Sequence, residues 1–161
     1  MSDPIIDLHS DDYFMGEALR QAAKAYERGE VPVGTVIVRA GKIIARAFNQ
    51  VEELKDATAH AEMLALTQAE NAVGDWRLTD CTLYVTKEPC PMCAGAVVNA
   101  RVPGLVYGCD DPKAGAVRTL FNLCQEPRLN HQVQVQPGVL AAECSALLTD
   151  FFKAQRALGK K

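Results

Sequence analysis

Residues 82–107 constrain the fold more than any other stretch of this chain. Thr82 to Thr86 is a run rich in β-branched and aromatic residues and reads as a strand. Pro91 to Ala100 reads as a helix, and Gly104 to Tyr107 as a second, buried strand. Two strands joined through a helix run parallel, and the crossover is right-handed. The chain is therefore expected to carry a sheet with at least one parallel pair.

The other segments are arranged around that unit. From Asp11 to about Arg28, Phe14, Ala18, Ala22 and Tyr26 recur every four residues, which predicts one apolar helix stripe stopped at Gly29. Thr35 to Val38 and Ile43 to Ala47 are β-branched runs around Ala40-Gly41-Lys42 and read as a hairpin. Thr58 to about Ala72 reads as a helix with Thr58 as its cap, and Val117 to Cys124 as a short helix. Val133-Gln134-Val135 reads as a strand. Residues 109–132, which precede it, are too many for a hairpin loop, so this strand is expected to be a parallel edge. A helix from about Ala141 to Leu158 closes the chain. The expected fold is α/β: three layers (α/β/α) around a mixed five-stranded sheet whose last two strands are parallel. Residues 1–10 are expected to form a loose tail and residues 11–161 a single domain.

Composition narrows the function classes. The chain has 161 residues, 48% apolar and 23% charged, enough for one well-buried core. No apolar run reaches the ~18 residues of a membrane span, and the start, MSDPIIDLHSDD, is acidic where a secretory signal would be basic and then apolar. The expected compartment is the cytoplasm, with no membrane partner. A net charge of −3 argues against a general nucleic-acid coat protein. The charge is uneven, however: Lys153, Arg156, Lys160 and Lys161 crowd the C-terminal end, where they can meet phosphates or simply complement a helix dipole. Of six cysteines, Cys81, Cys109, Cys124 and Cys144 stand singly among apolar neighbours and read as small buried hydrophobes.

Cys90 and Cys93, in Glu88-Pro89-Cys90-Pro91-Met92-Cys93-Ala94-Gly95, have the spacing of metal ligands. Pro91 suits a first helical position, so the two sulfurs sit at i and i+3 on a helix start whose positive end favours thiolate. A redox dithiol, a structural zinc site and a catalytic zinc site all begin this way. A catalytic zinc takes three protein ligands and keeps one position open. Among the three histidines, His9 lies in the acidic tail and His131 in a polar loop, whereas His60 opens another predicted helix with Glu62 two residues on. Residues i and i+2 of a regular helix point ~200° apart, so a shared site requires His60 to lie in an irregular first turn. A dithiol enzyme would leave His60 and Glu62 without purpose, and a structural site would need a fourth ligand that no second CxxC supplies. No phosphate-binding Gly-rich motif is present.

Two thiolates and a neutral imidazole cancel the zinc charge, which makes the metal a milder Lewis acid. A carboxylate that accepts protons would make up the difference, and Glu62 fits that role without being a ligand. Hydrolytic deamination uses such a pair: water adds to an amino-bearing ring carbon while the glutamate moves protons to ring nitrogen and to departing ammonia.

With His60-Ala61-Glu62 and Pro89-Cys90-Pro91-Met92-Cys93 in place, the chain resembles the cytidine/deoxycytidylate deaminase superfamily. Within it, the likeness is to the bacterial tRNA-specific adenosine deaminases. It runs from about Tyr13 to Leu158 through Val31-Pro32-Val33-Gly34, Asp56 to Glu62, Glu88 to Gly95, Lys113-Ala114-Gly115-Ala116, Leu129-Asn130-His131, Gly138-Val139-Leu140 and Asp150-Phe151-Phe152. The resemblance implies a cytidine-deaminase-like fold and a homodimer with one Zn2+ per subunit. It also implies conversion of wobble adenosine to inosine in a tRNA anticodon stem-loop. Carried over by position, His60, Cys90 and Cys93 hold zinc, Glu62 shuttles protons and Asn49 bonds the base. Asp111 and Lys113 contact flanking nucleotides, and Phe151, Phe152 and Arg156 stack on and grip the anticodon loop. For the paired phenylalanines, the plainer alternative is that one packs into the core. Departures from the family pattern are Gln50, Asp110 and Val117-Arg118-Thr119. The competing function is deamination of a free base or nucleoside, such as guanine, on the same fold. A non-catalytic RNA-binding or partner-binding domain is disfavoured by the intact Glu62.

Overall fold

In the computed structural model, which describes residues 8–160, the chain enters its first helix through a side-chain cap. Ser10 Oγ accepts from the Tyr13 amide at 3.0 Å, so helix α1 (Asp11–Glu27) begins with one free amide satisfied. Ser10 falls within the stretch expected to be a loose tail, of which residues 1–7 lie outside the described residues. Strands β1 (Gly34–Arg39) and β2 (Lys42–Phe48) pair antiparallel across Ala40 and Gly41. Both turn residues have positive φ, 50° and 74°, the tight hairpin geometry that matches strand twist.

A four-residue helix, α2 (Val51–Leu54), follows and then α3 (Ala61–Val73). Strand β3 (Cys81–Lys87), helix α4 (Pro91–Asn99) and strand β4 (Gly104–Cys109) form the expected strand–helix–strand unit, with β3 and β4 parallel. Strand β5 (Gln134–Gln136) pairs parallel with β4, and α5 (Ala141–Ala157) ends the fold. The sheet order is β2-β1-β3-β4-β5. Helices α1 and α5 pack together over one face, and α3 and α4 over the other. Among the described residues, no helix is long and apolar enough to cross a membrane.

Two expectations need correction. The helix read from Thr58 starts at Ala61, with His60 as its cap. Thr58 is instead tied into a local turn, its amide and hydroxyl both donating to Asp56 Oδ1 at 2.8 and 2.7 Å. The helix read over Val117 to Cys124 is only a single 3₁₀ turn at Leu123–Gln125. The amides of Val117, Arg118 and Thr119 donate to the Glu88 carboxylate rather than to a helix ladder.

The hairpin brings α1 close. A side chain on Gly34 would collide with the Ala18 carbonyl and the Ala22 amide, so β1 meets α1 backbone to backbone there. The core around this contact, including Met15, Ile37, Leu83, Leu105 and Tyr107, is fully enclosed.

Candidate active site

Because β2, β3 and β4 all run the same way, their carboxyl ends share one edge of the sheet. Ligand sites of α/β sheets form at that edge. Asn49 follows β2, Lys87 and Glu88 end β3, and Asp111 follows β4. These residues line a cavity of about 340 Å³ together with His60, Glu62 and Cys90.

Helices α3 and α4 bring their amino-end caps to this cavity. His60 caps α3 with an extended backbone (φ −74°, ψ 151°), and Cys90 caps α4 with Pro91 at its first position (φ −73°, ψ 174°). The extended cap lets His60 and Glu62 face one site despite their i, i+2 spacing. His60 Nδ1 lies 3.6 Å from Cys90 Sγ and 3.5 Å from Cys93 Sγ. All three ligand atoms fall within 4.8 Å of one another. One tetrahedral ion bonded at about 2.0 Å to nitrogen and about 2.3 Å to sulfur holds N and S roughly 3.5 Å apart. The three side chains thus have the spacing and donor set that zinc requires.

The electrostatics agree. The hydrogen bond between Cys93 and Cys90, set against burial and helped by His60, holds the Cys90 thiol down to about 4. The same bond, with burial, pushes Cys93 up. His60 is raised chiefly by its bond to Cys90. Glu62, 4% exposed, has its carboxyl raised by burial, which suits a group that holds a proton between steps.

The side-chain oxygen of Asn49 accepts from the Ala61 amide at 2.8 Å. Asn49 therefore fastens the start of α3 while lining the cavity. Asp111 is buried, with Oδ1 accepting from the amides of Lys113 and Ala114 and Oδ2 paired with Lys87 at 3.2 Å. Phe151 and Phe152 both line the cavity, but they differ. Phe151 is buried and packs edge-to-face on Tyr26 at 5.6 Å, while Phe152 is 39% exposed. Lys113 and Arg156 are exposed and lie outside the cavity lining. Of the remaining histidines, His131 contacts the Val102 carbonyl at 2.6 Å and His9 packs beside Gly41.

Three residues at the site carry roles that spacing alone did not reveal. Lys87 neutralises Asp111 within the cavity. Glu30, 1% exposed, accepts from the amides of Glu52 and Glu53 at 3.0 and 2.7 Å and so holds α2 in the cavity wall. Glu88 gathers amides from the segment after β4. Each is a charged residue in or beside a quoted motif, and each acts on a partner far away in sequence; that separation hides it.

The known proteins most informative here are deaminases. Residues 9–156 match the family described as MafB19-like deaminase. The tRNA-specific adenosine deaminase of Bacillus subtilis is 54% identical over 146 residues, 91% of each chain. That of Aquifex aeolicus is 49% identical over 145 residues, 90% of this chain and 95% of the relative. A solved structure from studies of A-to-I editing by tRNA:A34 deaminases superposes with a TM-score of 0.82 at 44% identity, over 84% of this chain and 99% of that one. A guanine deaminase from Nitrosomonas europaea superposes with a TM-score of 0.74 at 25% identity, over 88% and 84%.

Proposed function

This chain belongs to the tRNA-specific adenosine deaminase family, and from that premise we propose that it converts adenosine to inosine at the wobble position of a tRNA anticodon. The reaction is hydrolytic: water replaces the exocyclic amine of the base, and ammonia leaves. One juxtaposition carries the reading, the His60–Cys90–Cys93 cluster beside the buried Glu62 in a single cavity.

On this reading His60, Cys90 and Cys93 hold one zinc per subunit, within a deaminase domain of residues 11–161. When bound, the metal supplies the Lewis acidity that makes the attacking water acidic. Glu62 takes the proton from that water, delivers it to the ring nitrogen and later hands a proton to the departing ammonia. Its burial supports this role, because a carboxyl whose pKa is raised by burial takes up and returns a proton more readily than a free one. Asn49, held by Ala61, directs its amide donor at the base. The base reaches this depth by flipping out of the anticodon loop. Phe152 offers an exposed ring for stacking. Phe151 supports it from beneath, and Lys113 and Arg156 meet phosphates. Asp111 orders the segment that faces the flanking nucleotides.

We further assign a homodimer acting in the cytoplasm on the anticodon stem-loop. Exposed Trp76, Leu120 and Phe121 supply apolar surface for the partner copy. The functional assay is direct: incubate the zinc-loaded protein with a stem-loop carrying wobble adenosine and, separately, with free guanine, adenine and cytidine. Inosine in the stem-loop alone is expected. Ammonia from a free base alone would sink the assignment in favour of a nucleobase deaminase.

A further inference from the structure

Glu88 directly follows β3, two residues before Cys90, and its carboxylate bonds to the segment that follows β4. Its carboxylate is 2% exposed and receives five donors. Oε1 accepts from the Asp111 amide at 3.0 Å and from the Thr119 hydroxyl, while Oε2 accepts from the amides of Val117, Arg118 and Thr119 at 3.1, 2.9 and 3.0 Å. Gly115 lies so close to the carboxyl group that any side chain there would collide with it. Neighbouring backbone bonds complete the wrap, from the Ala116 amide to the Pro89 carbonyl and from the Glu88 amide to the Cys109 carbonyl, both at 2.9 Å.

Consecutive amides converging on one point form an anion nest. Here the nest is filled by the protein's own charge. The segment from Asp111 to Thr119 has no helix or strand to fix it, so its backbone is ordered by what these amides bond to. Charge-assisted bonds are the strong class for that purpose. Asp111 and Ala114 on this segment line the cavity, while the Lys113 and Arg118 side chains are exposed.

We propose that Glu88 is a positioning residue for substrate: it fixes the Asp111–Thr119 segment against the metal-binding helix and so presents Lys113 and Arg118 to the RNA backbone. This rests on the tRNA reading above. Both carboxylate oxygens of Glu88 are bonded to residues 111–119, so its effect falls on RNA affinity rather than on the chemical step.

The test uses the zinc-loaded enzyme, a wobble-adenosine stem-loop, and the variants Glu88→Gln and Thr119→Val. The glutamine keeps the shape but turns a donor toward the nest. The valine removes one donor at an exposed position and leaves the helix with the ligands untouched. Glu88→Gln is expected to keep one zinc per chain and to raise KM about tenfold, with kcat within about threefold. Thr119→Val is expected to raise KM about threefold. The slope of affinity against salt should become shallower as phosphate contacts are lost, and hydrogen exchange should quicken at the amides of residues 117–119 while the β3 and β4 amides keep their protection.

An active wild type with unmoved KM in both variants overturns the positioning role alone, as does a fall in kcat at constant KM. Zinc loss in Glu88→Gln, with Thr119→Val unchanged, makes Glu88 a support of the metal site instead. Should Glu88→Gln not fold, Thr119→Val decides. A wild type inactive on the stem-loop sinks the functional reading and this role with it, whatever the exchange data report.

Discussion

Glu62 and Asn49 show how a single side chain at this site carries two duties that different substitutions can separate. Glu62 is buried beside His60, Cys90 and Cys93, whose three donor atoms converge without it. Glu62→Ala should therefore keep stoichiometric zinc by metal analysis and lose turnover by at least about 10²-fold; loss of the metal would make Glu62 a ligand. Asn49 accepts from the first amide of α3 and also lines the cavity. Asn49→Ala should lower stability by about 1 kcal/mol in urea unfolding, as removal of a helix cap does, and weaken stem-loop binding as well. Asn49→Asp keeps the acceptor and should weaken binding alone. Equal stability losses in the two variants would refute the division. The convergence of His60, Cys90 and Cys93 was legible from spacing, because CxxC and HxE at two helix starts leave few other arrangements. That Asp111 spends its second oxygen on Lys87 was not legible, since Lys87 ends a different strand and meets it only after folding, whereas Lys113 and Ala114 are local turn partners.

Elements with a strict period were readable, and those held by distant partners were not. The hairpin and the strand–helix–strand unit follow from β-branched and buried apolar runs, and the first helix from its four-residue apolar repeat. The missed helix α2 has only four residues, too few to show a period, and it is held by Glu30 from before β1. The segment 117–124 has helical apolar spacing, but bonds to Glu88 outcompete a local ladder. At the same scale, the contact between β1 and α1 admits no side chain at Gly34. Gly34→Ala should destabilise the protein by about 1–3 kcal/mol, the usual penalty of overpacking, while Gly95→Ala, where nothing lies near the added carbon, should not. Chemical denaturation of the two variants makes the comparison. Similar midpoints would mean that α1 can shift away from the sheet.

Across the molecule, the six thiols divide into two populations. Cys90 is held low at the site, whereas burial pushes Cys81 up to about 11 and Cys124 and Cys144 up to about 12. A free thiol titrates near ~8.5. Above that pH the unfolded chain sheds protons that the native chain keeps, so native stability is full below ~8.5 and falls as pH climbs toward the native values. Denaturation midpoints should drop between about pH 8.5 and pH 11, and Cys81, Cys124 and Cys144 should resist alkylation at pH 8.5 until the chain unfolds. Rapid labelling of the native protein would show these thiols to be less enclosed than the packing indicates.

The sheet order carries a kinetic consequence. His60 follows β2 and the cysteine pair follows β3, but these strands are not neighbours, since β1 lies between them. The hairpin can close locally without bringing the histidine near either sulfur. Only when β1 docks against β3, a pairing of Thr35 with Val85 and Arg39 with Cys81, do the ligands reach one point. Capture of the metal should thus come late in refolding, after the hairpin has formed, and its rate should report the long-range strand pairing that slows such topologies.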